Sequence, residues 1–216
     1  METLAFILAN LPLIGRLTLE HVSLVGVSVA VAILTGVPTG IAITQSRKAA
    51  DRVLYVAATI MTIPSVALFG LLIPILSPIG QGIGYLPAVI ALILYAQLPI
   101  IRNTYTAITN VDPALREAAR GMGMTALQRL REVELPIALP VIVSGVRNAV
   151  VLNIAIAAIA TYIGAGGLGT FISRGISQTD IRQLVTGALA VSLLAIVADY
   201  ALLALQRLLT SPGLKA

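Results

Sequence analysis

The chain has 216 residues, 58% of them hydrophobic and 11% charged, with no cysteine, one histidine and a net charge of +5; its mean hydropathy is +0.99. Such a chain is too apolar to stay soluble alone. It implies an all-α integral membrane protein, one domain over residues 1–216, with room for about five spanning helices of roughly 20–25 residues each. Without cysteine, disulfides and thiolate metal sites are excluded, and one histidine leaves no His-based metal cluster or catalytic pair. The positive charge falls between apolar spans, where it sets topology rather than marking a nucleic-acid surface.

Residues 1–20 hold a short apolar run, Leu4 to Leu8, then Pro12 and Arg16. The run is too short and interrupted to span and has no small-residue cleavage pattern, so an amphipathic lead-in helix is expected, with His21 at the membrane interface. The first span is expected at 22–44, where Gly26, Ala30, Gly36 and Gly40 supply small residues for close helix packing and Pro38 a bend. A basic turn, Arg47 to Arg52, leads to a second span at 53–76, which Pro64 and Pro74 should break. Freed carbonyls at membrane depth are tolerated only under protein or beside a water-filled path. The broken span should therefore face the protein centre, with Pro64 and Ser65 at a pathway or gate. A Pro/Gly turn then precedes a third span at 85–108.

Residues 112–136, DPALREAARGMGMTALQRLREVELP, are the only long polar stretch. Asp112 can cap a helix opened by Pro113, and Gly121 or Gly123 can stop it. Thr125 with Gln128 is a capping-box pattern for a second short helix, expected to end near Leu135 because Pro136 disfavours helix in the residue before it. Four arginines (116, 120, 129, 131) balance four acids (112, 117, 132, 134), so the stretch suits docking on a protein rather than on a polyanion.

The fourth span is expected at 136–160. It carries Arg147, about 16 Å along the helix from Pro136 at 1.5 Å per residue and so near mid-membrane. An arginine there should face the interior, bonded to carbonyls or to Asn148 or Asn153. It is either a clamp on carbonyls freed by Pro64 or a positive charge at the pathway or gate. Next come Gly164, Gly166, Gly167 and Gly169, a formal G-x-G-x-x-G. With helices rather than a βαβ unit around it, the pattern reads as an outer turn or re-entrant segment, not a dinucleotide site. The fifth span is expected at 183–205, with Asp199 pairing with a nearby base at its inner end. The side holding residues 45–52, 109–135 and 206–216 carries nine Lys/Arg against three on the other. The charged loop, 109–135, should therefore be cytoplasmic, the amino terminus outside and the carboxyl terminus inside.

Glu117-Ala118-Ala119, three residues, Gly123, nine residues, then Val133-Glu134-Leu135-Pro136 resembles the EAA loop of bacterial ABC importer permeases, with Val133 where isoleucine is usual. Further matches at Thr62 to Gly70, Leu98 to Tyr105 and Ile163 to Gly169 narrow the likeness to permeases for quaternary-amine osmoprotectants: glycine betaine, carnitine and choline. The resemblance implies a type I importer transmembrane domain in the bacterial inner membrane. It implies coupling through Glu117, Ala118, Ala119, Gly123, Leu135 and Pro136 to a separate ATPase that binds ATP and magnesium. It also implies a second permease subunit, identical or paralogous, and an extracytoplasmic binding protein. Permeases of amino-acid and methionine importers share the loop and stand as the alternative. A channel or ion-coupled carrier lacks inverted halves and a run of intramembrane carboxylates, an intramembrane enzyme lacks a nucleophile with a base, and no phosphate loop is present.

Overall fold

Proline is disruptive inside a helix but harmless in its first turn, where the missing N–H has no intrahelical acceptor. Pro12 takes that position in α2 (Leu11–Ala42), which continues as a 3-10 turn through Gln45. The first span is therefore longer than 22–44, and the lead-in shrinks to α1 (Glu2–Ala9). The computed structural model describes residues 2–209; residues 210–216, with Lys215 of the topology count, lie outside the described residues. Four helical stretches are long and apolar enough to cross a membrane: Leu11–Gln45, Tyr85–Thr109, Ala126–Ile163 and Ile181–Leu209. A broken pair makes a fifth if counted as one span.

That pair is α3 (Arg47–Thr62) and α4 (Ser65–Leu76). Pro64 pushes Ile63 into an extended conformation, ψ 125°, as a residue before proline prefers, and the helices meet at 99°. The break is covered by α5 (Tyr85–Thr109), whose Tyr95 hydroxyl donates to the Ile63 carbonyl at 2.5 Å. α4 buries Leu68, Phe69 and Leu72, and α3 buries Ala50 and Ala57 where it packs on α5. α3 leaves Tyr55 74% and Val56 57% exposed and α4 leaves Val66 64% and Ile75 67%, so each half of the broken span has one face on the chain's own core and one outside it.

α5 is the central helix, packed between α2 and α8 (Leu135–Ala160). Close approach explains the glycines there. A Cβ on Gly36 would lie 2.9 Å from Ile100, on Gly40 2.6 Å from Thr104, and on Gly145 2.6 Å from Asn103. Gly26 instead has open space and, with Ala30, lines an apolar groove of about 330 Å³ between α2, α8 and the last helix. At 100° per residue, Gly36 is rotated about 80° from Gly26, so the four small residues make two faces and only one is packed. Cross-helix bonds add to the contact: Asn153 Nδ2 to the Leu92 carbonyl (3.1 Å), Gln97 Nε2 to Thr35 Oγ1 (2.9 Å), and His21 Nε2 with the Ile154 carbonyl (3.0 Å). Such bonds stabilise membrane bundles by about 0.6 kcal/mol on average. His21 is fully buried among protein atoms.

The charged stretch forms α6 (Pro113–Gly121) and α7 (Ala126–Arg129). α7 does not end at Leu135. It runs into α8 through a π turn, Leu130–Glu134, in which the Leu135 N–H reaches the Leu130 carbonyl five residues back. Pro136 falls in the first turn of α8, so it opens this helix rather than closing the one before. Beyond α8 an unforeseen short helix, α9 (Gly169–Ser177), packs on α10 (Ile181–Leu209). A Cβ on Gly175 would lie 2.5 Å from the Leu184 nitrogen, and one on Gly187 2.8 Å from Phe171. Phe6 of α1 meets Phe171 edge-on at 6.3 Å, and the Arg182 guanidinium lies 5.9 Å over the Phe6 ring.

Candidate functional site

At the charged end, local chemistry builds two short helices. Asp112 accepts the Ala114 N–H at 2.8 Å and Pro113 opens α6. Gly123 makes the turn at φ +79° with open space around it. Thr125 and Gln128 then cap α7 reciprocally, Thr125 N–H to Gln128 Oε1 at 2.9 Å and Gln128 N–H to Thr125 Oγ1 at 3.3 Å. Glu117 and Ala118 are exposed, whereas Ala119 is 1% exposed and packs against the chain's own body. Neighbouring helical residues point about 100° apart, so the two alanines do not share one thin outward face. The outward apolar surface is Ala118 with Leu115, Met122 and Leu127. Leu135 is half-buried and Pro136 exposed at the foot of α8.

Under this surface lies a charge cluster that the sequence did not single out. Glu134, 7% exposed, takes the Arg129 Nε at 2.9 Å, and Arg116 Nε lies 3.2 Å from the same oxygen. Arg116 also donates through Nη2 to the Ile108 carbonyl in the last turn of α5. The four arginines and four acids read as balanced, but which of them meet depends on how the two helices fold back.

Within the spanning part of α8, Arg147 pairs with Asp199 of α10. Nε donates to Oδ1 and Nη2 to Oδ2, the latter at 2.9 Å, a two-point fork that suits a guanidinium and a carboxylate. The expected partners are different: Asn148 is exposed, and Asn153 is fully buried and bonded to Leu92. Tyr95, not Arg147, covers the break at Pro64. Pro64 and Ser65 line a cavity of about 250 Å³ with Met61, Tyr95, Leu152 and Ile156. Of the five residues expected at a pathway or gate, Pro64 and Ser65 thus share one cavity, whose lining does not include Arg147, Asn148 or Asn153.

At the opposite end, Gly164, Gly166 and Gly167 all have positive φ (+82°, +78°, +80°), and among the described residues their flanks are helices, not strands. The Gly84 N–H donates to the Ile163 carbonyl at 2.7 Å, and Glu20 Oε2 accepts the Gly167 N–H at 3.2 Å. A Cβ on Gly167 would lie 3.0 Å from His21 Nδ1, and one on Gly169 1.9 Å from the Ala158 carbonyl oxygen. In the link between α9 and α10, a hydrogen bond from Arg182 holds the Asp180 carboxyl below its ordinary range, at about 2.

Residues 5–211 match the sequence pattern of the family described as binding-protein-dependent transport system inner membrane component. The chain is 53% identical to the osmoprotectant import permease protein OsmW of Salmonella typhimurium, covering 100% of both chains. To the choline transport system permease protein OpuBB of Bacillus subtilis it is 39% identical, over 92% of this chain and 89% of that one. Its fold superposes on a chain of the inward-facing MetNI methionine ABC transporter with a TM-score of 0.85 and 25% identity, over 94% of this chain and 99% of the other.

Proposed function

Since the chain belongs to the family of binding-protein-dependent transport system inner membrane components, and is thus a membrane permease subunit of an ABC importer rather than an enzyme, we propose that its cargo is a quaternary-amine osmoprotectant: glycine betaine, carnitine or choline. The observation carrying this is the 53% identity over 100% of both chains to an osmoprotectant import permease. A methionine or amino-acid cargo rests on a 25% identical likeness.

ATP and magnesium belong to a partner ATPase, on which the outward face of α6, with Glu117, Ala118 and the turn at Gly123, docks from the cytoplasm. Leu135 and Pro136 carry the movement into α8. The nine Lys/Arg in residues 45–52, 109–135 and 206–216, against three in the other loops, favour placing this loop inside, with the amino terminus outside and the carboxyl terminus inside. A second permease subunit completes the pathway, and an extracytoplasmic binding protein selects the cargo. A cationic ammonium is held by several aromatic faces converging on it. Here Tyr55, Tyr85, Tyr162 and Tyr200 are exposed on separate helical segments, Tyr95 is buried and Tyr105 half-buried, so selection lies outside the permease. Arg147 with Asp199 acts as a structural clamp between α8 and α10.

The test is uptake of labelled glycine betaine, carnitine, choline and methionine by cells whose only route is this permease with its ATPase and binding protein. Uptake of quaternary amines that vanishes on reversing Glu117 and deleting Gly123 is expected. Methionine uptake alone would refute the cargo. Transport untouched by the loop changes would refute the docking.

A further inference from the structure

Glu134 lies within the loop pattern but is not among the residues expected to couple, yet it stands where three elements meet. It lies at the end of the π turn that joins α7 to α8. Its carboxylate takes Arg129 from α7 and faces Arg116 from α6. Arg116 in turn holds the last carbonyls of α5 through Ile108, where the helix end carries a partial negative charge suited to a cation. A carboxylate 7% exposed with two guanidiniums is shielded from water, so its attraction to them is screened far less than on an open surface. Apart from the turn at Gly123, which has open space around it, little apolar packing fixes α6: Ala119 is its one buried residue.

We propose that Glu134 is the positioning residue that makes the docking loop and the fourth span one rigid body, so that displacement of α6 by the ATPase moves α8 instead of being lost in the loop. This rests on the docking role of α6 proposed above and adds the joint beneath it. Replacing the carboxylate by an amide leaves two arginines facing each other without a counter-charge. The outward surface, Glu117, Ala118, Leu115 and Met122, is untouched. Docking should therefore survive while its mechanical consequence is lost.

The experiment uses the complete transporter, permease with ATPase and binding protein, in proteoliposomes. With Glu134→Gln, co-purification of the ATPase and its hydrolysis rate stay as in the wild type, and uptake per ATP hydrolysed falls by roughly tenfold, an ordinary size for coupling between two sites. Exchanging the charges, Arg129→Glu with Glu134→Arg, restores part of that ratio, whereas Glu132→Gln, an exposed neighbour, leaves it unchanged. Because the chain has no cysteine, spin labels on cysteines placed at Arg120, exposed on α6 outside the outward apolar surface, and at Val141 report the loop-to-span distance directly. One narrow distribution is expected in the wild type and a broad one in Glu134→Gln. An unchanged uptake-to-ATP ratio, or an unbroadened distance, overturns the proposal. So does a loss of assembled complex that the charge exchange fails to restore, which would give the carboxylate a folding role only. Reversing Glu117 serves as the control: if it abolishes uptake while Glu134→Gln does nothing, the joint fails and the docking reading stands; if it too does nothing, the docking reading itself fails.

Discussion

The two ends of the bundle are closed by opposite means. At the glycine turn, backbone lies on backbone: Gly169 has no room for a Cβ against Ala158, Gly167 lies over the buried His21, and Glu20 holds a main-chain N–H. At the charged end the contacts are side-chain charges, Arg116 and Arg129 on Glu134, and Gly123 turns in open space. Steric closure fails abruptly because packed backbones cannot give way. A charge joint holds its parts together through small displacements, since the attraction between ions falls off gradually with distance. A transporter driven from one end has use for both, one end as anchor and the other as handle.

That contrast breaks most directly at Gly169. Gly169→Ala puts a methyl group 1.9 Å from a carbonyl oxygen, and a loss of more than about 3 kcal/mol of stability is expected from overpacking, read as absence of folded protein in detergent thermal scans. Tolerance of alanine there would show that the turn end is not sterically locked. Next comes the pair lying between the ends. Arg147→Met leaves Asp199 without its partner, and the assembled complex should drop severalfold in membranes, recovering when Asp199→Leu is added. Normal assembly with altered transport or ion leak would make Arg147 a gate and not a clamp.

Gly123→Ala is the counterpart of Gly169→Ala at the charged end. Its φ is as unfavourable, +79°, but nothing lies within 4 Å. The expected effect is only the strain of the left-handed conformation, about 1–2 kcal/mol, visible as a small shift in unfolding midpoint. The smallest effect belongs to Gly26→Ala on the unpacked face of α2, also without neighbours within 4 Å. Helix propensity makes it neutral to stabilising, by at most about 1 kcal/mol. A strong destabilisation there would mean that a partner subunit packs into the groove.

What the sequence made legible was local. The caps at Asp112 and Thr125 and the turn at Gly123 need only residues within four positions of each other, and they are where the pattern placed them. Proline was read correctly at Pro113 and Pro64 but wrongly at Pro12 and Pro136, taken as interruptions although each stands in the first turn of a long helix. The pattern alone does not say whether a proline ends one helix or starts the next. Arg147 was recognised as needing a partner, and Asp199 as having one, but the separation of 52 positions made the match invisible before α8 and α10 were packed. α9 was hidden because Gly169, its first residue, read as part of a turn, and Gly175, which packs against α10 as Gly187 of α10 does against α9, carries no signal in the sequence. Glu134 was lost among balanced charges for want of the fold-back that buries it.

The π turn at Leu130–Glu134 holds one more residue than an α-helical turn would use. One turn of main chain here takes five residues where an α-helix takes four, so the segments on either side keep the relative facing of a helix one residue shorter. Deleting Glu132 would let the helix close up into ordinary α geometry with α8 still in register against α5 and Arg129 still on the side of Glu134. Forcing all five residues into α geometry would instead swing the segment before them, and with it the outward face of α6, by about 100° around the helix axis. The π turn is therefore a phase setting: it absorbs the extra residue locally and keeps the docking face aimed relative to the span.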